Sequence, residues 1–383
     1  MKKRSFLSIL AFFCITAMIA TFWNPAITGQ TAKAASRKNV YTAFGDSIAA
    51  GYGLSGYSDD QAGAPSDSYQ ARVAAFLKTT SRNYAVTGDD SNDCLEILNS
   101  GKADADLAKS DVITLSIGSN DLLLPFIERI IKEFDIDTGS IDPSKPMPDI
   151  DLESMSKYYQ KLKQLITDLK DDEQLHAQAA AFPGQLQKIL ALLKEKAPNA
   201  EIYVTNIYNP FYSIPVFGET ADIYINEINK SFSANDDDYT LIDVYTPFNE
   251  NQAYVNVNIK NMNFDPHPSV KGHKKIAELF TNAIKRAHAP KAASVNQLKS
   301  SRTNKLVAKI KLPKSADQCQ LLYATSKNGT YQTLAATSKN TYKTNTKKLK
   351  SNRTYYIKVR SLKKVNHVTY YGKDSKAYKL IIK

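Results

Sequence analysis

The chain has 383 residues, 43% of them hydrophobic, and carries 50 lysines and arginines against 38 aspartates and glutamates. This length is enough for two domains with hydrophobic cores. The five histidines and three cysteines form no cluster with the spacing of a zinc site, so we expect no metal or cofactor. We expect Cys94 and Cys319 to be unpaired buried residues, with a disulfide between them as the open alternative.

The charge is distributed unevenly along the chain. Residues 291–383 hold 22 lysines and arginines and two aspartates, a net charge of +20, whereas residues 35–290 hold 24 basic and 36 acidic residues, a net charge of −12. An acidic body therefore precedes a strongly basic C-terminal part. Such asymmetry indicates the kind of partner rather than the fold.

The N-terminal segment 1–34 has the pattern of a secretory signal peptide. Lys2, Lys3 and Arg4 precede an apolar run over 6–22, and the small residues around Lys33 form a cleavage site before Ala35. We therefore expect a secreted protein of Gram-positive type, with an uncleaved membrane anchor as the alternative. No later apolar run in the sequence approaches the length of a membrane span.

Strand-like and helix-like segments then alternate through residues 35–288. The pattern predicts strands over 40–43, 84–86, 112–117, 200–206 and 239–244, helices over 68–79, 121–134, 151–171, 182–196, 221–232 and 270–287, and a polar loop over 135–151. This alternation predicts an α/β domain with a parallel sheet and helices on both faces.

A linker is predicted over 289–296. After it, the helix-like segments give way to short strand-like segments. Short alternating runs over 306–312, 320–325, 342–344, 354–359 and 377–382 predict a small all-β sandwich over 297–383. Leu349 lies six residues before Tyr355, a spacing that resembles the tyrosine corner of fibronectin type III modules. A generic immunoglobulin-like sandwich is the alternative.

A serine directly after the first predicted strand is the leading candidate nucleophile. Ser47 lies in Phe-Gly-Asp-Ser-Ile, at the C-terminal end of that strand, where open α/β sheets place their chemistry. A serine hydroxyl needs a base within hydrogen-bond reach. His267 is the best candidate base, because Pro266 and Pro268 stiffen its loop and Asp265 stands two residues before it. His273 falls inside the last predicted helix, and we expect it to be a surface or capping residue.

Donors for an oxyanion follow two other predicted strands. Asn120 comes after the apolar strand 112–117 in Gly-Ser-Asn-Asp, and its side chain can donate to a developing negative charge. Gly88 follows the strand 84–86, and its backbone N–H has no side chain to block approach. Each of these turns, taken alone, is equally compatible with a purely structural role.

Four blocks taken together resemble the SGNH (GDSL-type) hydrolases: Gly-Asp-Ser at 45–47, Asn-x-Ala-x-x-Gly at 83–88, Gly-x-Asn-Asp at 118–121, and Asp-x-His-Pro at 265–268. The resemblance covers about 38–287 and implies a flavodoxin-like three-layer αβα fold and a serine esterase or lipase. It implies Ser47 as nucleophile, His267 as base, and an oxyanion hole formed by Ser47 N–H, Gly88 N–H and the Asn120 amide. The segment 202–211 further resembles the secreted lipase-like branch of bacilli.

One departure from the family pattern concerns the partner of His267. The family has Asp three residues before His, where this chain has Phe264. Either Asp265 reaches the imidazole through a shifted loop, or a backbone carbonyl orients it.

The expected substrate is a carboxylic ester of a lipid or an acylated carbohydrate. The apolar residues 122–126 follow Asn120 directly and represent either core packing or an acyl-chain site. The alternatives are a carbohydrate or cell-wall O-deacetylase and a non-catalytic binding protein on the same scaffold. For the basic residues 291–383 we expect an anionic cell-wall polymer or a membrane surface as partner, with a solvated spacer as the alternative, and no nucleic acid.

Overall fold

The computed structural model describes residues 40–58, 64–133, 160–161, 164–214, 216–233, 236–258, 263, 265–302, 305–345 and 348–383. The chain divides into two compact units, Met1–Phe280 and Thr281–Lys383. The predicted signal peptide and the predicted loop 135–151 lie outside the described residues. Among the described residues, no helix has the length and apolar character that a membrane crossing requires.

A five-stranded parallel sheet forms the centre of the first unit. Its strands are β1 (Val40–Gly45), β2 (Thr80–Asn83), β3 (Ser110–Ser116), β4 (Glu201–Thr205) and β5 (Thr240–Ile242). They lie in the order β2-β1-β3-β4-β5, and each neighbouring pair is parallel. This is the strand order of flavodoxin-like folds, so the predicted α/β fold class is confirmed.

The central strands are buried because helices cover both faces of the sheet. Every residue of β1 is buried, as are six of the seven in β3. The helices are α1 (Ser47–Ala50), α2 (Tyr69–Leu77), α3 (Ser91–Asn99), α4 (Asp104–Leu107), α5 (Ser119–Glu133), α6 (Glu173–Lys196), α7 (Phe217–Asn229), α8 (Tyr245–Asn249) and α9 (Val270–His288). Short 3-10 turns cover Leu169–Asp171 and Gln252–Tyr254.

Helix α6 begins much earlier than the predicted start at 182. Asp172 caps the helix by accepting hydrogen bonds from the N–H groups of Gln174 and Leu175, both at 3.0 Å. Pro183 lies in the interior of this helix. Burial of Phe182 and of other apolar residues of this helix offsets the backbone hydrogen bond that proline cannot make. Of the helix predicted over 151–171, residues 151–159 lie outside the described residues.

The second strand was predicted at 84–86, which is wrong, because β2 pairs with β1 over Thr80–Asn83. These residues are polar and only partly buried, so their sequence lacks the apolar pattern of a strand. The chain still follows β1 beyond them. Tyr84 N–H donates to the Ala43 carbonyl at 2.8 Å and Val86 N–H donates to the Gly45 carbonyl at 3.1 Å.

The predicted surface or capping role of His273 is also wrong. The side chain is fully buried, with 0% exposure, and its Nδ1 accepts a hydrogen bond from the Tyr69 N–H at 3.3 Å. Its ring stacks on Tyr69, with centroids 6.2 Å apart. Burial is the main cause that lowers the pKa of His273 to about 3, and electrostatic interactions with His267 and Arg72 act in the same direction.

The second unit consists of two antiparallel sheets. One has the order β10 (Thr341–Asn345), β7 (Lys305–Lys311), β6 (Ser294–Arg302). The other has the order β12 (Val368–Tyr371), β11 (Thr354–Val365), β8 (Gln318–Ala324), β9 (Gln332–Thr337), with β13 (Tyr378–Ile381) also paired to β11. The predicted all-β class of this part is confirmed. Strands β6, β9 and β12 were not predicted, and β6 includes the last three residues of the predicted linker 289–296.

Tyr355 makes the hydrogen bond that the tyrosine-corner hypothesis requires. Its side chain lies in the core of the second unit, and its hydroxyl oxygen accepts from the Lys350 N–H at 3.0 Å. Leu349 is fully buried in the same core. The fibronectin type III assignment itself stays a prediction.

We predict that His273 makes the first unit sensitive to acid. In the unfolded chain His273 takes up a proton below pH ~6.5, whereas the folded, buried ring does not. Because the unfolded state binds more protons at this residue, the contribution of His273 to stability is lost as the pH falls below that value. His273→Gln removes this titration, so between pH 7 and pH 5 the wild type should lose about 2 kcal/mol more than the variant. Urea unfolding followed by circular dichroism at 222 nm measures this difference. Parallel stability curves for the two proteins would contradict the prediction.

Candidate active site

Gly45 allows the chain to turn from β1 into the site. Its φ is +145°, and a Cβ at this position would lie 2.1 Å from the Ser116 carbonyl oxygen of β3. Only glycine therefore fits this conformation and this close approach. The next residue, Asp46, donates its N–H to the same carbonyl at 3.2 Å and caps α1 by accepting from the Ile48 N–H at 2.9 Å. Ser47 consequently begins a short helix at the C-terminal edge of the sheet.

The Ser47 hydroxyl meets the predicted base. His267 Nε2 lies 2.9 Å from Ser47 Oγ, and both residues are more than nine-tenths buried. Two hydrogen bonds hold the backbone of the loop that carries His267. Asn256 N–H donates to the His267 carbonyl at 2.9 Å, and the Tyr208 hydroxyl donates to the Pro266 carbonyl at 2.8 Å. The geometry is that of a nucleophile and its base within hydrogen-bond reach.

Asp265 occupies the position of the orienting carboxylate, despite its shifted place in the sequence. Its Oδ1 lies 2.5 Å from His267 Nδ1 and also accepts from the His267 N–H at 3.0 Å. Asn256 Nδ2 donates to the other oxygen at 2.8 Å. Of the two alternatives left open by the sequence, the structure therefore places the carboxylate, and not a backbone carbonyl, against the imidazole.

The environment of Asp265 favours its ionised form. Burial raises the pKa of this carboxyl, but the hydrogen bond and charge of His267 and the donation from Asn256 outweigh burial, and the pKa lies below its usual value. Asp46 behaves oppositely. Burial raises its pKa to about 7, although the Ile48 N–H and the charge of His267 act against the shift. The pKa values of these two carboxyls are thus shifted in opposite directions.

Asn120 lies in the first turn of α5 and is oriented by the loop that carries Gly88. Its Nδ2 donates to the Asp89 carbonyl at 2.8 Å. An amide nitrogen carries two hydrogens, so a second donor remains for another acceptor. Asp121 ties the same two segments together, because its carboxylate accepts from the Ser91 N–H at 3.1 Å and from the Ser91 hydroxyl.

Gly88 lies in a tight turn after β2. Asp89 N–H donates to the Val86 carbonyl at 3.3 Å, and Gly88, the third residue of this turn, has a φ of +94° that favours glycine. Asp89 N–H closes the turn, so the Gly88 N–H is not used for that purpose. Thr87 is anchored by its hydroxyl to the Tyr57 hydroxyl at 2.5 Å.

Sequence reasoning missed Asn256 and Tyr52 as parts of the site. Asn256 supports Asp265 and the His267 loop from a separate segment. The Tyr52 ring packs on the imidazole with centroids 4.7 Å apart, and its N–H donates to the Ser47 carbonyl at 3.0 Å. Tyr52 lies in the Gly-rich segment after the nucleophile, which was a usable signal. Asn256 carried none, because nothing in its local sequence marks it.

Comparison with known proteins now gives the affiliation of this site. The model of the GDSL-like Lipase/Acylhydrolase family matches residues 43–275, which is more than half of the chain and includes every residue described above. The chain belongs to this family. A curated relative of this GDSL-like protein, the uncharacterized protein YpmR of Bacillus subtilis (strain 168), is 25% identical over 262 residues, covering 66% of this chain and 84% of YpmR.

Solved structures of low similarity were also found. The lipase Lip_vut3 from a goat rumen metagenome is 21% identical to this chain, with a TM-score of 0.42. The match covers 64% of this chain and 97% of the lipase chain. Phospholipase A1 from Streptomyces albidoflavus NA297 is 19% identical, with a TM-score of 0.44. The match covers 64% of this chain and 99% of the phospholipase chain. A carbohydrate esterase is 14% identical, with a TM-score of 0.37. The match covers 66% of this chain and 70% of the esterase chain.

An apolar cavity of about 110 Å³ opens beside Ser47 and His267 of this GDSL-like protein. Ser47, Asn120 and His267 line it together with residues from α5, α6, α7 and the segment after β4. The apolar lining residues include Leu122, Leu123, Phe126, Leu175, Ile207, Phe211, Phe217, Ala221 and Ile225. Residues of the apolar run 122–126 therefore line a cavity next to Asn120. Across the described residues, no group of three His, Cys, Asp or Glu side chains is arranged to hold a metal ion.

We predict that removing His267 lowers kcat more than removing Asp265 does. His267→Ala removes the base itself and should lower kcat by roughly 10⁶-fold, whereas Asp265→Ala leaves the base in place and should cost roughly 10⁴-fold. Steady-state hydrolysis of a p-nitrophenyl ester measures both values. Equal losses in kcat would contradict the subordinate role of Asp265.

Proposed function

We propose that the protein is a serine hydrolase of carboxylic esters and forms an acyl-enzyme on Ser47. The observation that carries this proposal is the hydrogen bond of 2.9 Å between Ser47 Oγ and His267 Nε2, next to an apolar cavity. Ser47 Oγ attacks the ester carbonyl while His267 takes its proton. His267 then donates that proton to the leaving alcohol as the tetrahedral intermediate collapses.

The second half of the reaction uses the same groups in the same order. His267 takes a proton from water, the resulting hydroxide attacks the acyl-Ser47 carbonyl, and the proton returns to Ser47 Oγ as the free acid leaves. Asp265 accepts the His267 Nδ1–H and stabilises the imidazolium in both halves. The developing oxyanion would be received by the N–H groups of Ser47 and Gly88 and by the free amide hydrogen of Asn120, each of which is worth about 3 kcal/mol.

The cavity favours an ester whose acyl part is an apolar chain. Its lining side chains come from three helices and are predominantly aliphatic or aromatic, so each methylene that enters gains about 0.8 kcal/mol of burial. A carbohydrate or cell-wall O-deacetylase needs room for an acetyl group alone and would leave most of this apolar lining unused. The non-catalytic binding protein remains the competing class, and labelling of Ser47 distinguishes it.

We further infer that the mature protein begins at Ala35 and acts outside the cell. The supporting features are the basic start, the apolar run over 6–22 and the small residues before Ala35. The apolar acyl site and an extracellular location are compatible with a substrate drawn from lipids or from acylated carbohydrates of the surroundings.

We predict that a fluorophosphonate probe labels the protein on Ser47, because the probe phosphonylates serines that a neighbouring base activates. Intact mass spectrometry of labelled protein recovered from culture medium reads the adduct and the N-terminus together. The expected mass is that of a chain starting at Ala35 with one adduct, and Ser47→Ala should carry none. Labelling that persists in Ser47→Ala, or a folded wild type that does not react, would contradict the assignment of Ser47. A mass that includes residues 1–34 would contradict secretion by cleavage.

We predict that kcat/KM for p-nitrophenyl esters rises from acetate to octanoate, by about fourfold for each buried methylene. Ala221→Leu places extra atoms in the cavity while the groups around Ser47 stay in place. The variant should lower the ratio of octanoate to acetate hydrolysis by at least ~10-fold and change acetate hydrolysis by less than ~3-fold. A steep preference of the wild type for acetate would instead support the deacetylase.

A further inference from the structure

The second unit carries a high positive charge that the proposed hydrolase chemistry does not use. Residues 291–383 contain 22 lysines and arginines and only two aspartates. One of these aspartates, Asp317, is engaged by accepting the Lys364 N–H at 2.7 Å. The positive charges of this unit are therefore largely uncompensated within it, and the unit attracts anions.

Strand β11 divides its side chains between the core and the opposite face of its sheet. Tyr355, Ile357 and Val359 belong to the buried core of the second unit. Because side chains alternate along a strand, Lys358 and Arg360 lie on the outer face, and both are partly exposed. Their positions two residues apart on one strand place their Cα atoms about 6.8 Å from each other.

Both cations of this outer face rest on tyrosine rings. The Lys358 ammonium lies 4.3 Å from the centroid of the Tyr331 ring, and the Arg360 guanidinium lies 4.1 Å from that of Tyr371. Arg360 Nε also donates to Gln320 Oε1 at 2.7 Å. These contacts restrict two long side chains that would otherwise be mobile, so less entropy is lost when an anion binds them.

The surroundings leave the Arg360 charge unneutralised by carboxylates. Lys358 has a loose ion pair with Asp374, at 3.7 Å, whereas no ion pair of Arg360 occurs among the described residues. The Arg360 Nη groups provide a planar set of donors that matches a phosphate oxygen pair. Gln320 Nε2 donates to the Thr333 hydroxyl at 3.0 Å, which adds neutral polar groups beside the cations.

We propose that this tyrosine–cation face, formed by Tyr331, Lys358, Arg360 and Tyr371, binds a linear polymer of polyol phosphates. Lys358 and Arg360 lie on the same face of one strand, with Cα atoms about 6.8 Å apart, and so present two cationic groups to a chain that carries successive phosphates. The neutral amide and hydroxyl groups beside them fit the hydroxyls of such a chain. The interaction is separate from ester hydrolysis and holds whether or not Ser47 is catalytic.

The same observations disfavour two other polyanions. Single-stranded nucleic acid is bound by aromatic rings on which bases stack, and here one face of each tyrosine ring is covered by a cation of the protein itself. Peripheral binding to an anionic membrane combines cations with aliphatic or aromatic side chains that enter the lipid boundary, whereas the tyrosine rings of this face are packed against its own cations.

The test measures binding of the full chain to immobilised poly(glycerol phosphate) at increasing salt. Lys358→Ala/Arg360→Ala should weaken binding at least ~10-fold and lower the slope of log K against log salt by about two. The matched control is Lys309→Ala/Lys311→Ala, which removes the same charge at the same spacing from the exposed side of β7 in the other sheet. The control should bind within ~2-fold of the wild type. Equal losses in both double variants, or no binding by the wild type at low salt, would overturn the proposal.

Two further variants separate geometry from charge. Tyr371→Leu keeps every charge but removes the ring under Arg360, and Arg360→Lys keeps the charge but removes the planar donors. Each should weaken binding ~3-fold to ~10-fold, with melting temperatures that show whether the second unit remains folded. Wild-type affinity in Arg360→Lys would overturn the proposed geometry, and this conservative variant decides the matter if Tyr371→Leu fails to fold.

Competing ligands test the identity of the polymer. Soluble poly(glycerol phosphate) should displace the protein from the immobilised polymer at lower phosphate concentration than single-stranded oligo(dT) or vesicles of phosphatidylglycerol and phosphatidylcholine in equal parts. Tighter binding to oligo(dT) would assign the face to nucleic acid, and tighter binding to the vesicles would assign it to a membrane. Either result would overturn the polyol-phosphate assignment.

Discussion

The first unit is organised around a contact between two residues that lie 220 positions apart, the hydrogen bond of Ser47 to His267. A hydrogen bond between residues so far apart in sequence is kept only if the backbone around each residue is held rigidly by other contacts. Gly45 fixes one end by its approach to β3. Asn256 and Tyr208 fix the other end by holding the backbone on either side of the imidazole. The parallel sheet supplies the frame, because its strand ends all meet at one edge.

The same rigidity extends to the segments that carry Gly88 and Asn120. Asn120 and Asp121, at the start of α5, each hold one residue of the segment 89–91. The two loops therefore form a single wall, although they follow different strands. The proposed oxyanion donors are thus carried by segments that are tied to each other, and donors held in place before a reaction are the condition for strong electrostatic stabilisation of a transition state.

The sequence was sufficient for the fold class and for selecting Ser47 and His267 as candidate site residues, because each has a local signature. Gly-Asp-Ser follows an apolar strand, and His267 stands between two prolines. The errors arise where tertiary contacts decide. The edge strand β2 is polar, and His273 became a core residue through its stacking on Tyr69. The shifted carboxylate could not be assigned from spacing, because its position depends on Asn256 in a separate segment.

When the first unit folds, some of its buried titratable groups take up protons and another releases its proton. Burial raises the pKa of Asp46 to about 7, that of Asp121 to about 6, and that of Asp89, next to other carboxylates, to about 8. At mildly acidic pH these aspartates gain protons on folding, and their contribution to stability is lost as the pH rises through their folded pKa values. His273 loses its proton on folding, so its contribution changes with pH in the opposite sense. The proton that His273 releases on folding therefore offsets only part of the uptake by the three aspartates, and folding of the unit at mildly acidic pH takes up protons overall.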